Sequence, residues 1–359
     1  MKIAQIAPLW EGAGGGGISD AERAVSYLTR ELIRRRHEVT LFAGADSETS
    51  ATLEAMYGET DETPFSRGPA TWSRADAMKM AAEQVFGERA DEFDIIHSHF
   101  GVDGLPMARR CPIPTLTTLQ DRLDYPAHIP VFKQFRNLQL VSTSDAQRRP
   151  LPWASWHQTI YPGVPSELYR FNQQPGKYLA FFGSLSLEEG LGLAIELARR
   201  AHLPLRVASP QDGIGVPLSS SIELLSTDSD VEWLGELCGD EKRDFLRGAL
   251  AYVCTHDWPG PSGLCVGEAL ACGTPILAFH GGSAAEMIYD HVTGFACQSL
   301  DEMVDVLPLI GNLDRRECRG VFEKRFSAER MTDQYLQLYE RLIAAARPPR
   351  AFGVAVQSR

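Results

Sequence analysis

Short apolar runs alternate along the chain with segments whose apolar residues follow helical spacing. In the first half, runs typical of buried strands lie at 2–7, 38–43, 94–99, 113–119, 138–143 and 157–162. The intervening stretch 20–35 places Ala24, Val25, Leu28 and Leu32 on one helical face. Strands that alternate with amphipathic helices predict an α/β fold whose parallel sheets are covered by helices.

A second alternating series begins near Tyr178, after the polar, Pro- and Gly-containing stretch 171–177. Strand-like runs follow at 177–183, 203–209, 231–236, 248–254 and 275–279, with helical patterns at 191–201 and 263–271. We therefore predict two doubly wound domains, 1–170 and 171–330. The last helix is expected at roughly 328–346, capped by Ser327. Residues 331–359 comprise most of this helix, which is expected to return to the first domain, and a tail. Ligands of such domains bind at the carboxyl ends of the strands, which predicts a cleft between the two sheets.

Composition narrows the classes of partner. The 359 residues include 47 acidic and 35 basic ones, a net charge of −12, which argues against binding nucleic acid or an anionic membrane. A basic patch at 30–38 is either the solvated end of a helix or a weak contact to lipid or acceptor phosphate. No apolar run approaches the roughly 20 residues of a membrane span.

The termini and cysteines indicate a cytoplasmic protein. The first ten residues carry one Lys and enter a strand directly, unlike a signal peptide. Seven cysteines, an odd number without CxxC pairs, are expected to be reduced and mostly buried, with no structural zinc site.

The segment Gly260–Pro275 carries the most specific signal. Ser262 is placed to cap a helix that Gly273 ends, and the free amides at its start form a natural anion site. "GLCVGEALACGTPILAFHGGSAAEMIYDHVTGF" resembles the signature of the retaining family 4 glycosyltransferases, which have the GT-B fold. "MKIAQIAPLWE", "ERAVSYLTRELIRRRHEVTLFA", "FDIIHSHF", "SDAQRRPLP" and "RFSAERMTDQYLQLYERL" are similar to the same family, in order along most of the chain.

The resemblance implies transfer of a sugar from a nucleotide-sugar donor, with retention at the anomeric carbon and without a metal or other cofactor. Glu268 matches the glutamate that holds the ribose hydroxyls. Ser262, Gly263 and Leu264 match the loop whose amides face the donor sugar and diphosphate. Glu286 has two interpretations, a capping box with Ser283 or a ligand contact. The donor sugar, the base, the acceptor and the oligomeric state are left open.

Several positions depart from the family pattern. The first carboxylate of the motif falls at Gly260, with Asp257 nearby but three residues out of register. In the segment that begins at Gly183, the family's Arg and Lys, which neutralise the leaving diphosphate, are Ser184 and Glu189. Glu189 alternatively favours the positive start of the following helix. Gln120 stands where the family has a histidine beside the donor sugar.

The glycine loop after the first strand has two possible registers. Ser19 and Asp20 occupy the family's glycine pair without a gap, whereas Gly16 and Gly17 fill it after a small shift. These glycines shape the phosphate and acceptor side, or the loop is a plain surface loop. His97 and His99, at the end of a strand, are either structural or acceptor contacts.

Two functions remain in view. The first is a glycosyltransferase with an unusual donor site, in which Gln120, Gly260, Ser184 and Glu189 occupy the catalytic positions. The second is a non-catalytic glycosyltransferase-like protein that acts as a ligand sensor or partner subunit. A nicotinamide dehydrogenase fits poorly, because GxGxxG is not met in the proper strand-turn-helix context.

Overall fold

The first sheet is parallel throughout and has the strand order β3-β2-β1-β4-β5-β6-β7. The computed structural model describes residues 1–8, 19–57, 74–183, 190–209, 230–261 and 263–346. The strands are β1 Lys2–Ile6, β2 Glu38–Gly44, β3 Thr52–Tyr57, β4 Ile95–Ser98, β5 Thr115–Leu119, β6 Leu140–Ser142 and β7 Trp156–Thr159. The helices are α1 Asp20–Arg34, α2 Arg74–Phe86, α3 Leu105–Arg110 and α4 His128–Gln134.

The second sheet is also parallel, in the order β10-β9-β8-β11-β12-β13. Its strands are β8 Leu179–Phe182, β9 Leu205–Ser209, β10 Val231–Glu236, β11 Ala251–Cys254, β12 Ile276–Phe279 and β13 Gly294–Cys297. The helices are α5 Leu191–Ala201, α6 Gly239–Arg247, α7 Leu264–Ala271, α8 Leu300–Ile310, α9 Arg315–Arg325 and α10 Ala328–Ala346. Two helix-covered parallel sheets confirm the predicted fold class.

Helix α10 packs against α1 and the first sheet. Its buried side chains share one core with residues of α1 and of the first sheet's strands, namely Ile3, Leu28, Leu32, Ile95, Met331, Tyr335, Leu338 and Tyr339. Where the chain crosses between the sheets, the Val164 amide donates to Phe326 O at 2.9 Å, and the Ala328 amide donates to Val164 O at 2.9 Å. The Ser327 hydroxyl accepts the Arg330 amide at 3.3 Å, which is the predicted cap.

Helix α1 begins with a capping box. The Glu22 amide donates to the Ser19 hydroxyl at 3.2 Å, and the Ser19 amide donates to the Glu22 carboxylate at 2.9 Å. This fixes Asp20 and Arg23 in the first turn, on the side of the second sheet. Within the described residues, no helix is both long and apolar enough to cross a bilayer.

The basic patch at the end of α1 is largely neutralised by acidic partners. The pairs are Arg30 with Glu167 at 2.6 Å, Arg34 with Glu31 at 2.7 Å, and Arg35 with Asp333. This pairing favours the solvated helix end over a lipid contact.

A buried polar network runs beneath the carboxyl ends of β1, β4 and β5. The two nitrogens of His97 lie 2.6 Å from the Tyr339 hydroxyl and 2.7 Å from the Thr118 hydroxyl. His99 Nε2 lies 2.9 Å from the Gln5 side-chain oxygen. His97 and His99 are buried and bonded to core groups, which supports their structural interpretation. Burial lowers the pKa of His99 to about 3.

This network predicts a loss of stability at mildly acidic pH. Because the pKa of His99 is lower in the folded than in the unfolded state, the unfolded chain binds the extra proton. The stabilisation is complete above pH ~6.5 and declines as the pH falls towards the folded pKa. We expect His99→Gln to flatten the slope of unfolding free energy between about pH 6.5 and pH 4.5 by roughly 1.4 kcal/mol per pH unit. Urea titrations of both proteins measure this, and equal slopes would contradict it.

Candidate functional site

The segments that follow the strands of one sheet contact those of the other. The Ser144 hydroxyl, after β6, donates to Gly260 O, after β11, at 2.6 Å. The Glu286 carboxylate, after β12, accepts the amides of Asp145, at 2.7 Å, and of Ala146. The Tyr161 hydroxyl donates to the same carboxylate at 3.0 Å. The carboxyl ends of both sheets thus meet at one closed interface.

Glu286 corrects one sequence-based interpretation. The predicted capping box with Ser283 is wrong, since the short turn Ser283–Met287 has Gly282 at its start and no side-chain cap. The Ser283 hydroxyl donates instead to Pro261 O at 3.0 Å. The carboxylate of Glu286 has three hydrogen-bond donors across the interface, the Asp145 and Ala146 amides and the Tyr161 hydroxyl, whereas a capping box would offer it one backbone amide.

Glu268 is the centre of a buried charge cluster. Its side chain, in the body of α7, has no exposed surface. One carboxylate oxygen accepts Arg23 Nη1 at 2.5 Å and the Tyr169 hydroxyl at 2.7 Å. The other lies 2.8 Å from the Lys242 ammonium, which is itself buried against the Phe182 ring. Glu268 is therefore neutralised by one cation on α1, beside the first sheet, and one on α6, beside the second.

The cluster keeps Glu268 ionised. Burial alone raises the pKa of a carboxyl, but the charges of Lys242 and Arg23 hold the pKa of Glu268 far below its usual range. Asp20 behaves alike, because Arg23 and Lys242 outweigh the effect of burial and lower its pKa.

Asp20 occupies the start of α7. Its Oδ2 accepts the Leu264 amide at 2.9 Å, and its Oδ1 accepts Arg23 Nη2 at 2.5 Å. Gly263 is the N-cap of the helix and makes no side-chain cap, so the Asp20 carboxylate takes the first helical amide. The predicted cap, Ser262, lies outside the described residues.

The space beside the Gly260 backbone is filled by the Trp258 ring. A Cβ built on Gly260 would lie 1.6 Å from the Trp258 ring. That ring stacks on His256 with centroids 4.8 Å apart, and the Arg122 guanidinium lies 4.5 Å from its centroid. An aromatic ring, contacted across the interface by a cation, therefore stands where a side chain at position 260 would begin.

The remaining predicted residues divide into two groups. Gln120 follows β5 directly, with its amide nitrogen 3.4 Å from His99 Nδ1. Gly183 follows β8, next to Phe182, against which Lys242 packs. The predicted residues outside the described part of the chain are Gly16, Gly17, Ser184 and Glu189. The described predictions thus lie at the strand ends, beside residues that the sequence interpretation did not select.

A cavity of about 330 Å³ opens after β5 on the side of the first sheet, and Leu119 and Asp121, the neighbours of Gln120, line it. Leu119 and Leu123 contribute apolar wall, while Arg122 and Tyr125 contribute planar polar groups. The Tyr125 side chain is 51% exposed, and Arg122 lies between its ring and that of Trp258.

Comparison with known proteins identifies the family. A family model described as Glycosyltransferase Family 4 matches residues 21–167, and one described as Glycosyl transferases group 1 matches residues 170–305. The chain belongs to the family 4 glycosyltransferases. Among curated proteins, an uncharacterized glycosyltransferase of Methanocaldococcus jannaschii is 25% identical over 190 residues, 51% of this chain. The match spans about half the length of that relative, 53%.

Solved structures share the fold of this glycosyltransferase. AviGT4, a glycosyltransferase involved in avilamycin A biosynthesis, superposes with a TM-score of 0.68 at 19% identity, over 96% of this chain and 98% of its own. Anabaena HepE in complex with UDP-glucose gives 0.69 at 18% identity, over 95% and 100%. A Rickettsia africae glycosyltransferase gives 0.70 at 14% identity, over 95% and 98%. These likenesses confirm the GT-B architecture.

The sequence of this glycosyltransferase held signals for some of the residues that the interpretation missed. Lys242 shares a helical face with Phe245 and Leu246, at the spacing i, i+3 and i+4, which indicates a buried lysine. A lysine buried on such a face requires an acidic partner. For Arg23, the sequence gives only its place in the first turn of α1. Residue spacing does not predict its contact across the interface.

The charge cluster predicts that substitution of Glu268 lowers the unfolding free energy far more than substitution of the exposed Glu232. Glu268→Gln leaves two buried cations without their counter-charge, so we expect a loss of about 3–5 kcal/mol in unfolding free energy. Glu232→Gln removes an exposed pair with Arg206 and should cost about 1 kcal/mol or less. Urea denaturation measures both. Similar losses for the two variants would contradict the cluster's role.

The packing of Trp258 predicts coupling with Gly260. Gly260→Ala should cost about 1–3 kcal/mol in stability through overpacking, and much less when Trp258 is already Ala. Gly192→Ala is the control, since nothing lies within 4 Å of its new methyl group. A double-mutant cycle in urea tests this, and an additive result would show that Trp258 does not fill the space.

Proposed function

We propose that this protein transfers a sugar from a nucleotide-sugar donor to an acceptor, with the donor bound at the start of α7. The observation that carries the proposal is that two suitable groups lie one turn apart on α7, beside the strand ends. They are the Leu264 amide at the start of the helix and the ionised Glu268 side chain. The amide suits a phosphate oxygen, and a carboxylate accepts two ribose hydroxyls. The solved complex of Anabaena HepE with UDP-glucose supports a donor of this class.

The positive charge for the donor's diphosphate comes, in this proposal, from side chains and amides rather than from a metal. Arg23 lies beside both Asp20 and Glu268, and Lys242 lies behind Glu268. The Arg and Lys positions of the family are Ser184 and Glu189 here. A cation supplied by α1 compensates for the altered positions.

The acceptor, in this proposal, binds in the cavity lined by Leu119, Arg122 and Tyr125. An exposed tyrosine ring flanked by planar polar groups suits a saccharide, which has an apolar ring face and a rim of hydroxyls. Gln120, which follows β5 directly, is proposed to hydrogen-bond the donor sugar, and its amide does not transfer a proton at neutral pH. Retention of anomeric configuration is proposed from the resemblance of the sequence to the family.

All seven cysteines are free thiols, which supports a cytoplasmic setting.

The direct test incubates the protein with UDP-, GDP-, ADP-, CMP- and dTDP-sugars and detects nucleotide release and sugar products by mass spectrometry. Release or transfer from at least one donor is expected. If none is bound by calorimetry and none is turned over, the enzyme proposal is wrong, and the non-catalytic alternative is favoured.

A pair of substitutions at Leu264 tests the amide itself. Leu264→Pro removes the N–H at the first helical position, where proline is tolerated and where Gly263 already has the extended backbone that precedes proline. Leu264→Ala keeps the N–H and removes a similar amount of packing. We expect donor affinity to fall about 10- to 100-fold in the proline variant relative to the alanine variant. Equal affinities would exclude this amide from the donor site.

A further inference from the structure

The first turn of α1 makes the contacts that the proposed donor requires. The Leu264 amide, assigned to a phosphate oxygen, is bonded to the Asp20 carboxylate at 2.9 Å. The Glu268 oxygen that would accept a ribose hydroxyl instead accepts Arg23 at 2.5 Å. A carboxylate anion thus stands in for a phosphate, and guanidinium N–H donors stand in for hydroxyl donors.

Both contacts come from one rigid element. The capping box of Ser19 and Glu22 fixes the turn, and Arg23 bonds Asp20 as well as Glu268. Asp20 and Arg23 therefore reach α7 from the same turn, and displacement of the Asp20 carboxylate from the Leu264 amide also affects its bond to Arg23. They belong to the first sheet's domain, whereas Leu264 and Glu268 belong to the second, so opening the interface exposes both donor-binding groups at once.

The charge balance favours exchange for an anion. Asp20 and Glu268 carry two negative charges, and Arg23 and Lys242 carry two positive ones, so the four side chains are neutral together. Withdrawal of Asp20, whose side chain is 42% exposed, leaves a net positive charge beside an unpaired helix amide. Glu268 and Lys242, which are almost completely buried, remain in place.

We propose that the first turn of α1 is an internal competitor of the nucleotide donor, with Asp20 and Arg23 occupying the donor's phosphate and ribose positions until a nucleoside diphosphate displaces Asp20. The inference rests on the proposed function, since it assigns the same amide and glutamate to the donor. Once Asp20 is displaced, the Arg23 guanidinium is released from the Asp20 carboxylate and pairs with the diphosphate. The competing contact lowers donor affinity and ties donor entry to opening of the interface.

The test measures the dissociation constant of UDP by calorimetry for the wild type, Asp20→Ala and Asp20→Asn, with GDP, ADP, CDP and dTDP in parallel. Asp20→Ala is expected to bind the preferred nucleotide at least ~10-fold more tightly, because a like charge no longer competes with the phosphate. Asp20→Asn, which loses the charge but keeps an acceptor, should lie between. Asp301→Ala, which removes an 83% exposed carboxylate on α8, is the control for net charge and should match the wild type.

Arg23→Lys separates the two roles of the turn. Lysine keeps a positive charge next to Glu268 but lacks the fork that bonds two partners at once, so UDP affinity should fall while the thermal midpoint changes little. The nucleoside uridine, which lacks phosphates, should respond to Asp20→Ala much less than UDP does.

The outcomes distinguish this inference from the proposed function. If the wild type binds a nucleotide and Asp20→Ala binds it equally or more weakly, Asp20 supports the site and the competitor proposal is overturned, while the glycosyltransferase proposal stands. If neither protein binds any of the five nucleotides, both proposals fail.

Discussion

A carboxylate with no exposed surface sits between the two sheets and must be neutralised where it lies. Glu268 obtains one counter-charge from each domain, Arg23 from α1 and Lys242 from α6. Removing either cation from a buried acid is costly, so closure of the interface and ionisation of Glu268 depend on each other. The other cross-interface contacts, from Ser144 to Gly260 and from the Asp145 amide to Glu286, align the strand ends around this charge.

The same arrangement accounts for the packing around a position that departs from the family pattern. A side chain at position 260 is excluded because the Trp258 ring occupies its space. Arg122, which contacts that ring, also lines the cavity after β5. Arg23 brings a positive charge from the opposite domain next to Glu268.

The sequence predicted the fold well because burial leaves a periodic pattern. Both sheets follow from alternating apolar runs, and helix α7 follows from the motif near Gly260. The edge strand β3 has too few buried residues to show such a pattern, and β13 begins at a glycine. Sequence spacing does not predict contacts between domains, and for this reason neither the contact of Glu286 with the Asp145 amide nor that of Asp20 with the Leu264 amide is predicted.

The most direct test is a crystal structure of the protein soaked with UDP. We expect a phosphate oxygen on the Leu264 amide, ribose hydroxyls on Glu268, and Asp20 displaced from the start of α7. A nucleotide bound elsewhere, with the bond between Asp20 and the Leu264 amide intact, would contradict this expectation.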